Sequence, residues 1–381
     1  MLEANRVFRV PRKVLFALAG SLTLLGAILA FAYTTYQDDV GGVPVPSRWP
    51  NSSFIWVLNN PGTPPANVDT TDGTNPLPLK TVLINSSNAW ATGSLNGQQL
   101  TNLSVANGND VTNLPNPRID CTNVVSFNDS NPADFPTGTT SVAFTTVTTD
   151  YYGKNTNAPP QTPGTVYTFT ECNGQETITT TSPSIVFDAD IAFNPHAQFS
   201  TSTPALPNEF DLQSVATHEF GHALGLDHSG IAHAVMFPAG DTGESQQRTL
   251  STDDLIAISF LYPSSNFASY LGTISGQVSF PNTGGVYAAH VMAIDANTGN
   301  VILDGLTNAD GSYKLYVPPS SYHVLVLPLA PDDNHGISSL SDFSGWTCGY
   351  DESAPPCCDT GAGQCLGAPL TNPTNFTGKF F

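Results

Sequence analysis

The segment at residues 218–228 reads His218-Glu-Phe-Gly-His222-Ala-Leu-Gly-Leu-Asp-His228, and it decides how the rest of the chain is interpreted. Residues four positions apart lie on one face of a helix, so His218 and His222 present two imidazoles to one point, with Glu219 close by. Gly225 can adopt a positive φ without a steric penalty, which lets the chain leave the helix and return His228 as a third ligand. Three imidazoles suit a tetrahedral Zn²⁺ whose fourth position is open, which is typical of a catalytic site.

Glu219 directly follows the first of these histidines, and this position indicates its chemistry. Zinc activates a water molecule and polarises a carbonyl group. Glu219 is placed to take a proton from that water and to hand it to a leaving nitrogen. The segment therefore predicts metal-assisted hydrolysis with Glu219 as general base and acid.

The surrounding sequence predicts an α+β fold. Two further helices are indicated, one at residues 79–90 by its apolar spacing and one from Ser251 by a capping-box pattern. The helix that carries the histidines is expected to begin near residue 209 or 211 and to end before Gly225. Short β-branched and aromatic runs predict strands at residues 54–58, 123–127 and 185–187.

In the residues of this histidine motif the chain resembles the metzincin metalloproteases. The sequence of residues 218–229 is similar to that of the matrixin branch of this family. Met236 lies eight residues after His228, as the methionine turn does in matrixins, and residues 253–262 resemble their final helix. The resemblance implies a twisted mixed sheet with an active-site helix over residues 49–263, with Met236 supporting a Zn²⁺ site. It also implies that residues 185–193 include the strand above the cleft that pairs with extended substrate.

Length and charge limit the classes of partner. The chain has 381 residues, which predicts two domains with appendages. Its 11 Lys and Arg residues oppose 31 Asp and Glu residues, for a net charge of −20. Nucleic acids and anionic membrane surfaces are excluded as partners because both require clustered cations.

The N-terminus has the pattern of an export signal. Four cations in residues 1–13 precede an uncharged apolar run at residues 14–33. Ala30-Phe-Ala32 has the form that a signal peptidase needs, which predicts a signal peptide at residues 1–32. The alternative is an uncleaved membrane anchor, since an apolar run of about 20 residues also spans a bilayer. In both cases the remainder of the chain is expected outside the cell.

Six cysteines in an exported chain indicate disulfides. Cys121 and Cys172 are expected to form one pair. The other four cysteines lie in residues 329–381, which are expected to form a Cys-rich tail held by disulfides, with a metal-binding group as the alternative. Residues 33–48 and 264–271 are interpreted as linkers.

Residues 272–328 carry short strand patterns separated by Gly, Asn and Pro turns, which predicts a small all-β sandwich. The segments at 272–278, 293–299 and 307–313 resemble the carboxypeptidase regulatory-like β-sandwich that is often appended to secreted enzymes. Two roles stay open for it. It is either a spacer or stabiliser, or it attaches the protein to an extracellular polymer or surface.

Asp188 and Asp190 are candidates for a Ca²⁺ site, because carboxylate oxygens are the ligands that Ca²⁺ prefers. Two carboxylates do not make a full oxygen set, and a solvated pair that favours a turn is the alternative.

The leading hypothesis is a secreted zinc endopeptidase that acts on protein or peptide substrates. The competing class is a non-enzymatic surface adhesin or binding module with an inert zinc site. A third interpretation is a metal hydrolase acting on amides or esters that are not peptides. It shares the chemistry and differs in the shape of the cleft.

Overall fold

The computed structural model describes residues 34–328, with gaps at 61, 115–116, 155, 157, 159, 281–283 and 309, and residues 379–380. The predicted signal peptide or anchor at 1–32 lies outside the described residues, as does the predicted Cys-rich tail except for 379–380. Among the helices that the structure describes, none combines the length and the apolar character needed to cross a bilayer. The described residues form two compact units, 34–267 and 268–328 with 379–380.

Of the four α-helices that the structure describes, three lie in the first unit, together with twelve strands. Its helices are α1 (Leu79–Thr92), α2 (Leu212–Ala223) and α3 (Thr252–Leu261), with single 3-10 turns at Pro50–Ser52, Cys172–Gly174 and Gln246–Arg248. Its strands are β1 (Gln37–Asp39), β2 (Pro44–Pro46), β3 (Ser53–Leu58), β4 (Val68–Asp69), β5 (Ser104–Asn107), β6 (Val124–Ser126), β7 (Ala143–Tyr151), β8 (Tyr167–Glu171), β9 (Glu176–Thr180), β10 (Ser184–Phe193), β11 (Phe199–Ser200) and β12 (Phe210–Asp211).

The main sheet has the strand order β5-β3-β6-β10-β7. β3 runs parallel to both β5 and β6, and β10 runs parallel to β6. β7 is antiparallel to β10 and forms the last strand of the sheet. A mixed sheet with helices is the α+β arrangement that the sequence predicts. The smaller sheets of this unit are β1-β2, β8-β9 and β12-β11-β4.

The structure corrects the strand assigned to substrate pairing. Residues 185–193 belong to β10, which is hydrogen-bonded to β6 on one side and to β7 on the other. Every residue of β10 is buried, so its long apolar run reflects a central position in the sheet. The strand that borders the cleft is β7, whose residues Ala143 to Thr145 line it.

Helix α2 is held between the main sheet and α1. The ring of Phe220 lies 5.2 Å from the ring of Trp56 on β3, measured between centroids. On the other side the indole N–H of Trp90, on α1, donates to the carbonyl of Thr217 at 2.9 Å. Trp56, Trp90 and Phe220 are all fully buried, so these contacts fix the position of α2 in the core.

The interpretation of residues 33–48 as a linker is wrong for residues 34–48, which the structure describes. Residues 37–46 form the antiparallel hairpin β1-β2. The carboxylate of Asp38 accepts hydrogen bonds from Ser47 at 2.9 Å, Ser184 at 2.6 Å and Thr149 at 3.1 Å. Because Thr149 lies on β7 and Ser184 on β10, these bonds tie the hairpin to the main sheet, and the segment belongs to the first unit.

The predicted disulfide between Cys121 and Cys172 is present, with the two Cα atoms 6.0 Å apart. It lies beside a small apolar cluster under the β8-β9 hairpin, whose buried members include Tyr167, Phe169 and Ile178. The disulfide therefore ties this hairpin to the loop that precedes β6.

The second unit is built of strands. They are β13 (Gly272–Gln277), β14 (Ser279–Phe280), β15 (Gly284–Gly285), β16 (His290–Asp295), β17 (Val301–Leu306), β18 (Ser312–Val317), β19 (Tyr322–Leu327) and β20 (Lys379–Phe380). They pair antiparallel as β13-β18, β14-β15 and β17-β16-β19-β20. The all-strand character of this segment was predicted, while its likeness to a carboxypeptidase regulatory-like sandwich stays a prediction. The predicted linker at 264–271 contains a short helix, α4 (Phe267–Tyr270), within which the division between the units falls.

Candidate metal centre and cleft

Helix α2 positions the first two histidines. A carboxylate caps its first turn, and a glycine allows the chain to turn after its end. At the start, the Asp211 carboxylate accepts the backbone N–H of Ser214 at 2.7 Å and forms a buried ion pair with Arg248. After the helix ends, Gly225 has φ +99°, and a Cβ there would lie 2.8 Å from the carbonyl oxygen of Ser47. Only glycine allows both that backbone turn and that approach, as the sequence predicts for this position.

The three histidines converge on one point. The Nε2 atom of His222 lies 3.1 Å from that of His218 and 3.2 Å from that of His228. His222 is buried, and the other two are partly exposed toward the cleft. Within the described part of the chain, no other group of three or more histidine, cysteine or carboxylate side chains is close enough to hold a metal ion. The structure therefore brings together the three residues that the motif predicts.

The protonation of the imidazoles suits a metal. The Nδ1 atoms of His218 and His222 lie 2.7 Å and 2.9 Å from the carbonyl oxygens of Val235 and Leu226, so each Nδ1 carries the proton that it donates. Burial and the neighbouring His228 lower the pKa of His218 to about 3. Burial also lowers the pKa of His222 well below its ordinary value. Both rings are neutral at pH 7, and both Nε2 lone pairs are free to bind Zn²⁺.

Glu219 lies beside this centre and is almost completely buried. Its Oε2 atom accepts the hydroxyl of Thr145, on β7, at 2.6 Å, and the same hydroxyl lies 3.1 Å from the carbonyl oxygen of Glu219. Its Oε1 atom has no protein donor among the described residues. Burial raises the pKa of Glu219 to about 7, although the hydrogen bond from Thr145 acts in the opposite direction. Such a carboxyl group can both accept and return a proton near neutral pH.

Met236 lies directly beneath helix α2. A Cβ added to Gly221 would lie 2.2 Å from the Sδ atom of Met236 and 2.7 Å from the ring of Trp90. The carboxylate of Asp254, in the first turn of α3, accepts the backbone N–H groups of Val235 and Met236 at 2.8 Å and 3.1 Å. Because the carbonyl of Val235 orients His218, α3 supports the metal centre through this segment.

A cleft with a volume of about 940 Å³ opens above the three histidines. One side is formed by residues 139–145, which end in β7, and another by residues 237–242 and 244, which follow Met236. His233 and Tyr36 also line it. His233 is exposed and does not belong to the group of three converging histidines.

Asp188 and Asp190 do not form a solvated pair in a turn. Both side chains are buried on one side of β10, where Asp190 accepts the backbone N–H groups of Arg118 and Val124, each at 2.7 Å. Asp188 accepts the backbone N–H of Asp120 at 3.2 Å. Burial raises the pKa of Asp188 to about 6 and that of Asp190 to about 7. These carboxylates hold the loop before β6, and a Ca²⁺ site at them stays a prediction.

Sequence reasoning missed three contributors to the centre. Asp254 was recognised as part of a helix cap but not as an acceptor for the backbone of Val235 and Met236, which we call the methionine segment. Thr145 and residues 34–36 were not recognised at all. Thr145 contacts Glu219 across 74 residues of sequence, and Thr34 donates its hydroxyl to the carbonyl of His228 across 194 residues. No local spacing pattern indicates contacts of that range.

Comparisons with known proteins agree with the geometry. Residues 163–263 match the family model of the matrixins. Metalloendoproteinase 2-MMP of Arabidopsis thaliana is 35% identical over 109 residues, which are 28% of each chain. Metalloendoproteinase 5-MMP of the same plant is 50% identical over 52 residues, 14% of each chain. Human matrilysin is 49% identical over 47 residues, which are 12% of this chain and 18% of matrilysin. The chain thus spans under a third of the length of each of these relatives, and the matrixin resemblance is confirmed for residues 163–263.

Proposed function

We propose that this chain is a secreted zinc-dependent endopeptidase whose catalytic unit is matrixin-like. The observation that carries the proposal is the arrangement at the floor of the cleft. Three imidazoles present their Nε2 atoms to one point, and the buried carboxyl group of Glu219 lies beside them. The matrixin match over residues 163–263 includes all four of these residues.

His218, His222 and His228 would hold the metal ion. A bound Zn²⁺ supplies Lewis-acid activation of water and of the substrate carbonyl. Glu219 accepts the proton that the attacking water loses, through the Oε1 atom that Thr145 leaves free. Glu219 then donates this proton to the amide nitrogen as the C–N bond breaks, so that the new chain end leaves as an amine. One water is consumed and the carboxylate of Glu219 is regenerated.

The substrate is proposed to bind along β7. This strand pairs with β10 through one edge and is the last strand of the main sheet, and its beginning at Ala143 to Thr145 lines the cleft. An extended peptide can add to such an edge through backbone hydrogen bonds. This mode recognises the peptide backbone and therefore favours an endopeptidase over a hydrolase of small esters.

Three further elements belong to the same proposal. The acidic composition and the N-terminal export pattern support a protein that acts outside the cell. The second unit would either stabilise the enzyme or attach it to an extracellular polymer or surface. Ca²⁺ is kept as a second candidate ion at Asp188 and Asp190.

The test is Glu219→Ala, with zinc content and cleavage of casein measured on the same preparation. The variant keeps the three imidazoles and should bind zinc as the wild type does, while cleavage falls by about 10²–10⁴-fold. Glu176→Ala is the control, because Glu176 is exposed on β9 and should leave cleavage unchanged. Full activity of Glu219→Ala would overturn the mechanism. Zinc binding without cleavage of any peptide by the wild type would instead favour a binding module.

A further inference from the structure

We propose that residues 34–36, which we call the N-terminal strap, are positioning residues for the zinc ligands His222 and His228. This inference rests on the proposed zinc site and adds a part of the chain far from the histidine motif. Thr34 and Thr35 are buried, and Tyr36 lines the cleft.

The strap pairs with the segment that follows α2. The backbone N–H of Tyr36 donates to the carbonyl of Gly225 at 2.9 Å, and the N–H of Asp227 donates to the carbonyl of Thr34 at 2.9 Å. Thr35 and Leu226 lie opposite one another as an antiparallel bridge. The strap thus forms a single strand-like contact along residues 225–227.

Successive residues of an extended segment direct their backbone groups to opposite sides. Gly225 and Asp227 face the strap. Leu226 faces α2, where its N–H donates to the carbonyl of Gly221 at 3.0 Å and its carbonyl lies 2.9 Å from Nδ1 of His222. The carbonyl that orients His222 is therefore held in place between the helix and the strap.

The strap also contacts both ligand residues directly. The hydroxyl of Thr34 donates to the backbone carbonyl of His228. The hydroxyl oxygen of Tyr36 lies 3.3 Å from Nδ1 of His222. Partners that orient a metal-bound imidazole commonly contribute about 10–100-fold in metal affinity. The strap is in turn fixed to the main sheet, because Asp38, two residues after Tyr36, accepts hydrogen bonds from Ser184 and Thr149.

The strap contains a matched pair of residues for the test. The hydroxyl of Thr34 has a partner on His228, whereas the buried hydroxyl of the adjacent Thr35 has none among the described residues. Threonine to valine keeps the shape of the side chain and removes the hydroxyl in both cases. Both variants lose a buried hydroxyl, but only Thr34→Val loses a hydrogen bond to His228.

The experiment measures the zinc dissociation constant of the full chain by competition with a chromophoric chelator, together with the melting temperature of the metal-free protein. We expect Thr34→Val to bind zinc about tenfold more weakly, Tyr36→Pro up to about a hundredfold more weakly, and Thr35→Val within about twofold of the wild type. A purely structural role would lower the melting temperature of metal-free Thr34→Val and leave its zinc affinity equal to that of Thr35→Val.

Equal zinc affinity of Thr34→Val and Thr35→Val would overturn the inference, and it would do so whether or not Tyr36→Pro folds. The proposed function fails separately, through a wild-type chain that binds no zinc or that binds zinc and cleaves no peptide. Because the readout is metal affinity and not proteolysis, a failure of the strap and a failure of the enzyme are distinguishable.

Discussion

The metal centre has two walls, and they are encoded in the sequence in different ways. The helix wall consists of α2 and the methionine segment, whose contacts join residues 4 to 19 positions apart, such as His218 with His222 and Asp254 with Val235. The sheet wall consists of β7 and the N-terminal strap, whose contacts to Glu219 and His228 join residues 74 and 194 positions apart. The helix wall carries His218, Glu219 and His222, and the sheet wall donates hydrogen bonds to Glu219 and His228.

This difference teaches which residues a motif can reveal. Chemistry that requires fixed spacing on one helix leaves a pattern that is visible in a single sequence. A hydroxyl that reaches the same groups from a distant strand leaves none, although its loss affects the same atoms.

The helix wall depends on the absence of a side chain at Gly221. In Gly221→Ala the new Cβ meets the Sδ atom of Met236 at 2.2 Å and the buried ring of Trp90, so one of them must move. Overpacking of this kind costs about 1–3 kcal/mol. Chemical denaturation of the metal-free protein measures the loss.

The double variant with Met236→Ala is the control for this prediction, because it removes the sulfur that the new methyl group meets. The two substitutions should cost less together than the sum of their separate effects. Strict additivity would contradict the proposed contact.

The sheet wall acts on Glu219 through Thr145. Thr145→Val removes the hydroxyl that donates to Oε2 of Glu219 at 2.6 Å and keeps the shape of the side chain. Since a hydrogen bond to a charged group contributes about 1.5–3 kcal/mol, kcat should fall by about tenfold or more. Steady-state kinetics on a peptide substrate should show the change in kcat with little change in KM.

Thr145→Ser provides the matched control, because serine keeps the hydroxyl group. It should retain most of the activity. If Thr145→Val and Thr145→Ser have the same kcat, the sheet wall does not position Glu219.

A smaller effect is expected for the pH dependence of folding stability. It arises from Asp190 on β10, which accepts hydrogen bonds from the loop before β6. Burial raises the pKa of Asp190 to about 7, whereas an aspartate in an unfolded chain titrates near about 4. The folded protein therefore holds this proton more tightly, and the contribution of Asp190 to stability increases as the pH falls from 8 toward 6. Melting temperatures of the metal-free protein at pH 8 and pH 6 measure the effect.

Asp190→Asn should show a smaller difference between those two pH values than the wild type. Asp188 acts in the same direction, since burial raises its pKa to about 6, so some pH dependence should remain in the variant. An unchanged difference between pH 8 and pH 6 in Asp190→Asn would be inconsistent with a raised pKa at this site.

Much of the helix wall could be predicted from sequence. The spacing of the histidines, the turn at Gly225 and the capping box at Ser251 each express a local backbone requirement, and the structure contains all three. The pairing of Cys121 with Cys172 was predicted from the number of cysteines and their places in the chain, and the structure contains it.

The sheet wall could not be predicted, and the reasons are physical. The resemblance to matrixins placed the strand above the cleft at residues 185–193, but these residues belong to β10, which is central and fully buried. β7, at the edge, is rich in threonine and only partly buried, which gives it a weaker pattern. Residues 34–36 belong to the first unit through backbone hydrogen bonds to Gly225 and Asp227, which any residue except proline can make.

The central claim is that three imidazoles hold one zinc ion that enables peptide cleavage, and one measurement tests it most directly. The wild-type chain is freed of metal with a chelator, zinc is returned in steps, and casein cleavage is followed at each step. Cleavage should be lost on chelation and should return in proportion to added zinc, up to one ion per chain. Cleavage that persists in the metal-free protein would contradict it, as would one bound zinc per chain without any return of cleavage.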